Sequence, residues 1–248
     1  MNVYNLKCLQ FAVHSKLLQC IKCAYDTKFF RCINSILDCD DLQDMLCIFV
    51  DWCAKNFLSL SIEICNAISF HRKNEPIIFN YIIDGSLERV HQIRNLGVIL
   101  DQTLACKVHY TDVIAKANRQ LGFIFKIADE FRDPLCLKSL YFALELSLLE
   151  TSVVVWESFQ TNWITIIETV QRKLFRYALH HLPWRDPSNF PPYKDRCRLL
   201  SIETLEHRRA VSQAAFAAKL LCGDIDCPPL LAELHRCTPE KPLRRRNF

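Results

Sequence analysis

The residues that could do chemistry are few and scattered. No Asp or Glu stands ahead of Asp26, which sits in the stretch Cys23-Ala24-Tyr25-Asp26-Thr27-Lys28. Phosphoryl and nucleotidyl transfer on two divalent metals needs several carboxylates converging on one clamp. Asp26 has no acidic neighbour of that kind, so a solvated residue at a hairpin is its plainer reading. Cys20-x-x-Cys23 is half of a zinc site with no second pair nearby. Cys222, Cys227, His235 and Cys237 have the spacing C-x4-C-x7-H-x-C, which fits no zinc knuckle, so packing is expected there and no metal is assigned. His180-His181 falls at a predicted helix end, where a protonated imidazole is favoured by the dipole; capping is expected rather than catalysis. No Ser or Cys lies in a nucleophile elbow, and four glycines in all leave no phosphate-cradling loop.

Basic residues are the remaining candidates. Lys116, Arg119 and Lys126 fall on one predicted helix, and Arg172, Lys173 and Arg176 on another, at spacings that can line one face and meet a phosphate backbone. A solvated polar face explains them equally well. Lys241 and Arg244-Arg245-Arg246 form a basic tail that reads as a flexible charge run. The net charge of +4 permits contact with nucleic acid without arguing for it.

These groups must be positioned by an ordinary globular chain: 248 residues, half of them apolar and 23% charged. Fourteen cysteines are scattered through apolar segments, where free Cys behaves as a small hydrophobe, rather than set out as a secreted disulfide framework. No signal peptide opens the chain and no apolar run is long enough to span a bilayer; Ala143 to Trp156 is interrupted by Glu145 and Glu150. The expectation is an intracellular protein with reduced thiols, cytoplasm and nucleus not being distinguished, and with no membrane partner.

Residues 1–22 show no clear period. A helix carrying Leu42, Met45, Leu46, Phe49, Trp52 and Cys53 on one stripe is predicted to start at the caps Asp38, Asp40 or Asp41. Strand-like runs follow at Ile64 to Phe70, Ile77 to Ile83 and Gly97 to Leu100, with Asp84-Gly85 as a turn, and Asp101 ends the β region. Helices are predicted over Tyr110 to Phe131, Pro134 to Trp156, Asn162 to His181 and Ile202 to Cys222, the last stopped by Gly223, with a short one after Pro228-Pro229. Pro183 to Tyr193 reads as a connector.

An ordered series of short motifs now becomes recognisable. The Cys23 to Lys28 box is followed by Trp52-Cys53 with Asn56 and Leu58, by Ile68-Ser69-Phe70, and by Asn95-Leu96-Gly97-Val98-Ile99-Leu100-Asp101. Then come His109, Lys116-Ala117, Leu121-Gly122-Phe123-Ile124, Leu140-Tyr141, Leu149-Glu150 with Val155-Trp156, and Val170-Gln171-Arg172-Lys173. From about residue 23 onward the series resembles the carboxy-terminal part of the reverse transcriptase of insect non-LTR (jockey-like) retrotransposons.

The resemblance implies an α+β fold: a small partial palm (a helix plus antiparallel strands) followed by a mainly α-helical thumb-like region. It implies a poorly defined segment at 1–22, a partial palm with a primer-grip-like hairpin at 23–102, and a helical thumb-like domain at 103–182. A Pro-rich connector, helical extension and basic tail then occupy 183–248. The box matches the family's Tyr-Ala-Asp-Asp, with Tyr25 in place of the first aspartate; a phenol with pKa near 10 stays neutral and does not replace a carboxylate on magnesium. Leu96, Gly97 and Val98 map onto the primer grip. The chain opens just ahead of the box, without the fingers and the earlier palm aspartate, and Ile64-Cys65 replaces a Lys-Cys of the family. The implied function is a truncated, catalytically inactive remnant of an RNA-directed DNA polymerase, the alternative being a non-enzymatic nucleic-acid-binding helical module. No cofactor is expected; Mg2+ belongs to the intact family enzyme. The partner implied is an RNA or DNA template–primer, met through the basic helical faces.

Overall fold

The apolar stripe around Leu42 does form a helix, α1 (Ile36–Lys55), in a computed structural model that describes residues 3–11, 19–23, 26–71, 76–131, 134–156, 161–180 and 191–235. Its N-cap is Ser35 rather than one of the three aspartates. Asp38, three positions into the helix, reaches back to accept from the Asn34 N–H (3.0 Å) and the Ser35 N–H (2.9 Å). Those donors and the Arg31 guanidinium hold the Asp38 carboxyl down at about 2. Contacts divide the chain into two compact units, 1–112 and 113–248.

The first unit carries the strands. β1 (Val3–Phe11), β2 (Gln19–Cys23), β3 (Asp26–Cys32), β4 (Ser59–Leu60), β5 (Asn66–Phe70) and β6 (Glu88–Arg89) make one sheet in the order β2-β3-β1-β5-β6, with β4 also on β1. Residues 1–22, where no period is visible, therefore supply the central strand and an edge strand. The pairing in this sheet is mixed, where antiparallel strands alone are expected. β1 runs parallel to β3 (Cys8 opposite Phe29) and to β5 (Leu9 opposite Ile68), and only β2 is antiparallel to its neighbour β3. For β3 and β5 the reason is α1: a helical crossover between two strands of one sheet returns the chain in the same direction. Ile77 to Ile83 forms no strand, only a bridge between Ile82 and Ser86 around Asp84-Gly85.

Alternation along β3 and β5 gives the sheet two apolar faces. Phe29, Cys65 and Ala67 pack with Cys39, Leu42 and Leu46 of α1 and with Tyr81, Ile83 and Leu87. On the other side Ile68 and Phe70 meet Ile93, Phe30 and Leu100. Ile93 and Leu100 come from a separate hairpin, β7 (Gln92–Asn95) and β8 (Val98–Asp101), in which Asn95 pairs with Val98. Its two-residue turn puts Leu96 at φ 46° and Gly97 at φ 88°. Positive φ at both positions is the turn that matches strand twist, and it suits Asn-Gly far better than Leu-Gly.

The second unit is helical. α2 (Lys107–Phe131) begins in the first unit, and beyond Asp112 it buries Val113, Ala117, Leu121, Ile124 and Ala128 at helical spacing. The single helix expected from Pro134 to Trp156 is instead α3 (Pro134–Leu140), a π-helical stretch Tyr141–Leu146, α4 (Ser147–Glu150) and, after a break at Thr151 and Ser152, α5 (Val153–Trp156). Ser152 at φ 56° turns the chain, and Trp156 Nε1 donates back to the Thr151 carbonyl at 2.8 Å. α6 (Thr161–His180), α7 (Tyr193–Leu200), α8 (Leu205–Cys222, ended by Gly223 at φ 83°) and α9 (Pro228–His235) follow. The mixed α+β class, sheets first and helices after, is as expected; α7 begins within the expected connector.

Leu96 is largely exposed and sits where an L side chain is strained. Leu96→Asn is expected to stabilise the first unit by about 1 kcal/mol, read as a higher urea midpoint at unchanged slope.

Candidate functional site

In the first unit Asp26 opens β3, with its Cα opposite Asn5 and Cys23. Asp26 is described by its backbone alone, and Tyr25 lies outside the described residues. Among the described residues no group of three His, Cys, Asp or Glu could hold a metal ion. Two residues on from Asp26, Lys28 is buried, and its Nζ donates to Asn95 Oδ1 at 2.5 Å, tying the box strand to the β7–β8 hairpin. Of the three primer-grip-like residues, Leu96 is exposed at the tip, Gly97 supplies the second positive φ, and Val98 is buried at the start of β8. His109 Nδ1 accepts from the Ile99 N–H at 3.3 Å, which anchors the start of α2 to β8.

An open groove beside the hairpin is lined by Glu88, Arg89, Val90, His91, Gln92, Asp101 and Val108. Much of its polar lining is committed to the fold. Asp101 Oδ1 accepts from Thr103 N, Thr103 Oγ1 and Ala105 N, capping the approach to α2. Arg89 donates to Ser69 Oγ and to the Phe79 carbonyl, and His91 pairs with Gln102.

In the second unit the basic candidates separate. On α2, Arg119 and Lys126 are exposed and Lys116 is half-buried. On α6, Lys173 is exposed and its Nζ donates to Asn118 Oδ1 at 2.6 Å, while Tyr177 stacks on Phe125 with centroids 4.3 Å apart. Arg172 and Arg176 face solvent one turn apart. The Arg172 guanidinium lies 4.8 Å from the centre of the Tyr193 ring, and that of Arg196, from α7, lies 5.6 Å from the same ring. Tyr193 is fixed underneath by stacking on Phe175 and by donating to Glu168 Oε1 at 2.7 Å. Burial, with the nearby charges of Arg176 and Arg172, lowers the Arg196 guanidinium below its ordinary range. Sequence reasoning missed Tyr193 and Arg196. The signal was Pro191-Pro192 just before Tyr193 with Asp195 in the first turn, a helix start rather than a connector.

The core of this unit also holds acids. Tyr141 donates to Gln171 Oε1 at 2.7 Å, and Gln171 Nε2 donates to the Glu203 carbonyl at 2.9 Å. Glu150 takes the Arg208 guanidinium bidentately. Burial raises the Glu168 carboxyl, against the Tyr193 hydroxyl and the Arg172 charge, which favour its ionised form. Glu145, in the π-helical stretch, is fully buried, and neither carboxyl oxygen has a hydrogen-bond partner among the described residues. Burial alone pushes it up to about 8, so it is predominantly a neutral acid at pH 7.

Cys20 and Cys23 are partners of β3 in an ordinary ladder, and Cys222 and Cys227 are free thiols. Cys237, His181 and the basic tail lie outside the described residues, and His180 ends α6. Among the described residues no helix is long and apolar enough to cross a membrane.

Glu145 makes a pH prediction. The folded state keeps this proton up to about pH 8, whereas the unfolded chain releases it near 4.5. The folded state thus binds more protons across that window, and stability falls as pH rises, by up to about 1.4 kcal/mol per pH unit, with nothing further lost above it. Glu145→Met is expected to flatten this dependence and to stabilise more at pH 8 than at pH 5, measured by denaturant unfolding at each pH. An unchanged pH profile in the variant would remove Glu145 as its cause.

Comparison of the chain with protein-family models, with curated proteins and with solved structures finds no match in any of the three.

Proposed function

We propose that this chain is a catalytically inactive remnant of a retrotransposon reverse transcriptase, working inside the cell by contact and not by chemistry. The observation that carries the reading is the Lys28–Asn95 bond. It ties the strand that opens at the box residue Asp26 to the hairpin that resembles the primer grip, across 67 residues of sequence. The family chemistry would need that neighbourhood, with the primer end held beside metal-bound carboxylates. In the box itself Asp26 is the one carboxylate, because Tyr25 stands in the other place. The purified chain is expected to extend no primer on an RNA template with magnesium or manganese, and Tyr25→Asp is expected to recover nothing. Template-dependent incorporation by the unaltered chain would falsify the reading.

A second reading, a nucleic-acid-binding helical module, is favoured by the exposed basic residues Arg119, Lys126, Arg172 and Arg176 of the second unit. Affinity for an RNA–DNA hybrid should fall steeply with salt, since each neutralised phosphate releases counterions. Binding that is absent, or indifferent to salt, rejects this reading.

A further inference from the structure

We propose that Arg172 and Arg196, set against the ring of Tyr193, form with Arg176, one turn along α6 from Arg172, a binding site for a phosphate group. This deepens the nucleic-acid reading, on which it rests for the source of that phosphate. Two guanidinium groups from different helices lie against one ring, at 4.8 and 5.6 Å from its centre. A guanidinium held on an aromatic face keeps its N–H donors at its edge, in the planar fork that matches phosphate oxygens. The ring is not free to wander: Phe175 stacks on it and its hydroxyl is held by Glu168.

Charge points the same way. Burial, and then the charges of Arg176 and Arg172, act against the charge on Arg196, and an anion beside it would relieve that repulsion. Nearby acids are already engaged: Glu168 is buried and accepts the Tyr193 hydroxyl, and Asp195 takes Arg198 at 3.1 Å. Arg172 and Arg176 remain at the surface, where a ligand can reach them. The site is thus specified by chemistry, a dianionic or diester phosphate, and its source is either a nucleic-acid backbone or a free phosphate compound.

The test uses the full chain, with calorimetric titration of inorganic pyrophosphate and fluorescence anisotropy of a labelled RNA–DNA hybrid over a range of salt. Wild type is expected to bind both, with pyrophosphate competing against the hybrid. Arg172→Gln with Arg176→Gln, both at exposed positions, should weaken each by about tenfold or more and make the log–log salt dependence of hybrid binding shallower by about 1. Lys107→Gln with Lys219→Gln, an equal loss of charge elsewhere, should keep the competition by pyrophosphate. A circular-dichroism melt confirms that each variant is folded. Hybrid bound as tightly by the arginine double variant as by wild type overturns this site and leaves the nucleic-acid reading standing elsewhere. Pyrophosphate bound without hybrid upholds the site and rejects that reading. Wild type that binds neither overturns both.

Discussion

Parallel pairing on both sides of β1 governs the first unit. Because β3 and β5 point the same way, the chain between them must travel back along the sheet, and the 20-residue α1 makes that return. Its buried side, Cys39, Leu42 and Leu46, then has one place to go, onto Phe29 and Ala67. Each fully buried leucine there is worth about 1.5–3 kcal/mol. With that face taken, Ile68 and Phe70 must be covered by something else, and the β7–β8 hairpin covers them. The position of the hairpin, and with it Leu96, Gly97 and Val98, is a consequence of which way the strands run.

In the second unit the ordering element is polar. Tyr141 with Gln171, and Tyr193 with Glu168, are paired by hydrogen bonds that tie α6 to the π-helical stretch and to α7, and Gln171 also donates to the carbonyl of Glu203 in the loop before α8. Satisfied buried polar groups of this kind fix helix register more sharply than apolar contacts do. The Tyr193–Glu168 bond holds α7 on α6, and that is what brings Arg196 beside Arg172. Glu145 is the exception, an acid that the surroundings keep neutral rather than paired.

Much of the helical part was legible because its signals are local. Pro134 and Gly223 mark a start and a stop, and the stripe from Val113 to Ala128 repeats at helical spacing. The strands were legible in part: the runs Ile64 to Phe70 and Gly97 to Leu100 hold β5 and β8, and the rest was hidden for a physical reason. β1, VYNLKCLQF, is paired on both edges and shows no clean alternation, and β7 carries Gln92, Arg94 and Asn95. Ile77 to Ile83 has strand composition, yet Tyr81 and Ile83 are spent as core plugs and the backbone stays irregular. The same contrast holds at the basic cluster. Arg172 and Arg176 declare themselves by a spacing of four, whereas Tyr193 and Arg196 join them through a helix–helix contact that no local pattern announces.

The π-helical stretch at Tyr141–Leu146 carries one further consequence. A π turn is in effect one residue more than an α-helix needs, and each residue is worth about 100° of rotation. The wider turn absorbs that residue, so the helix beyond it keeps the phase that regular α-helix one residue shorter would have. Leu149 is buried and Glu150 reaches Arg208 in that phase. A chain one residue shorter between 141 and 146 would close to regular α-helix with those side chains still in step, whereas a residue lost from the regular turns on either side would rotate them by about 100°. The stretch is the one place in this helical run where the chain has a residue to spare.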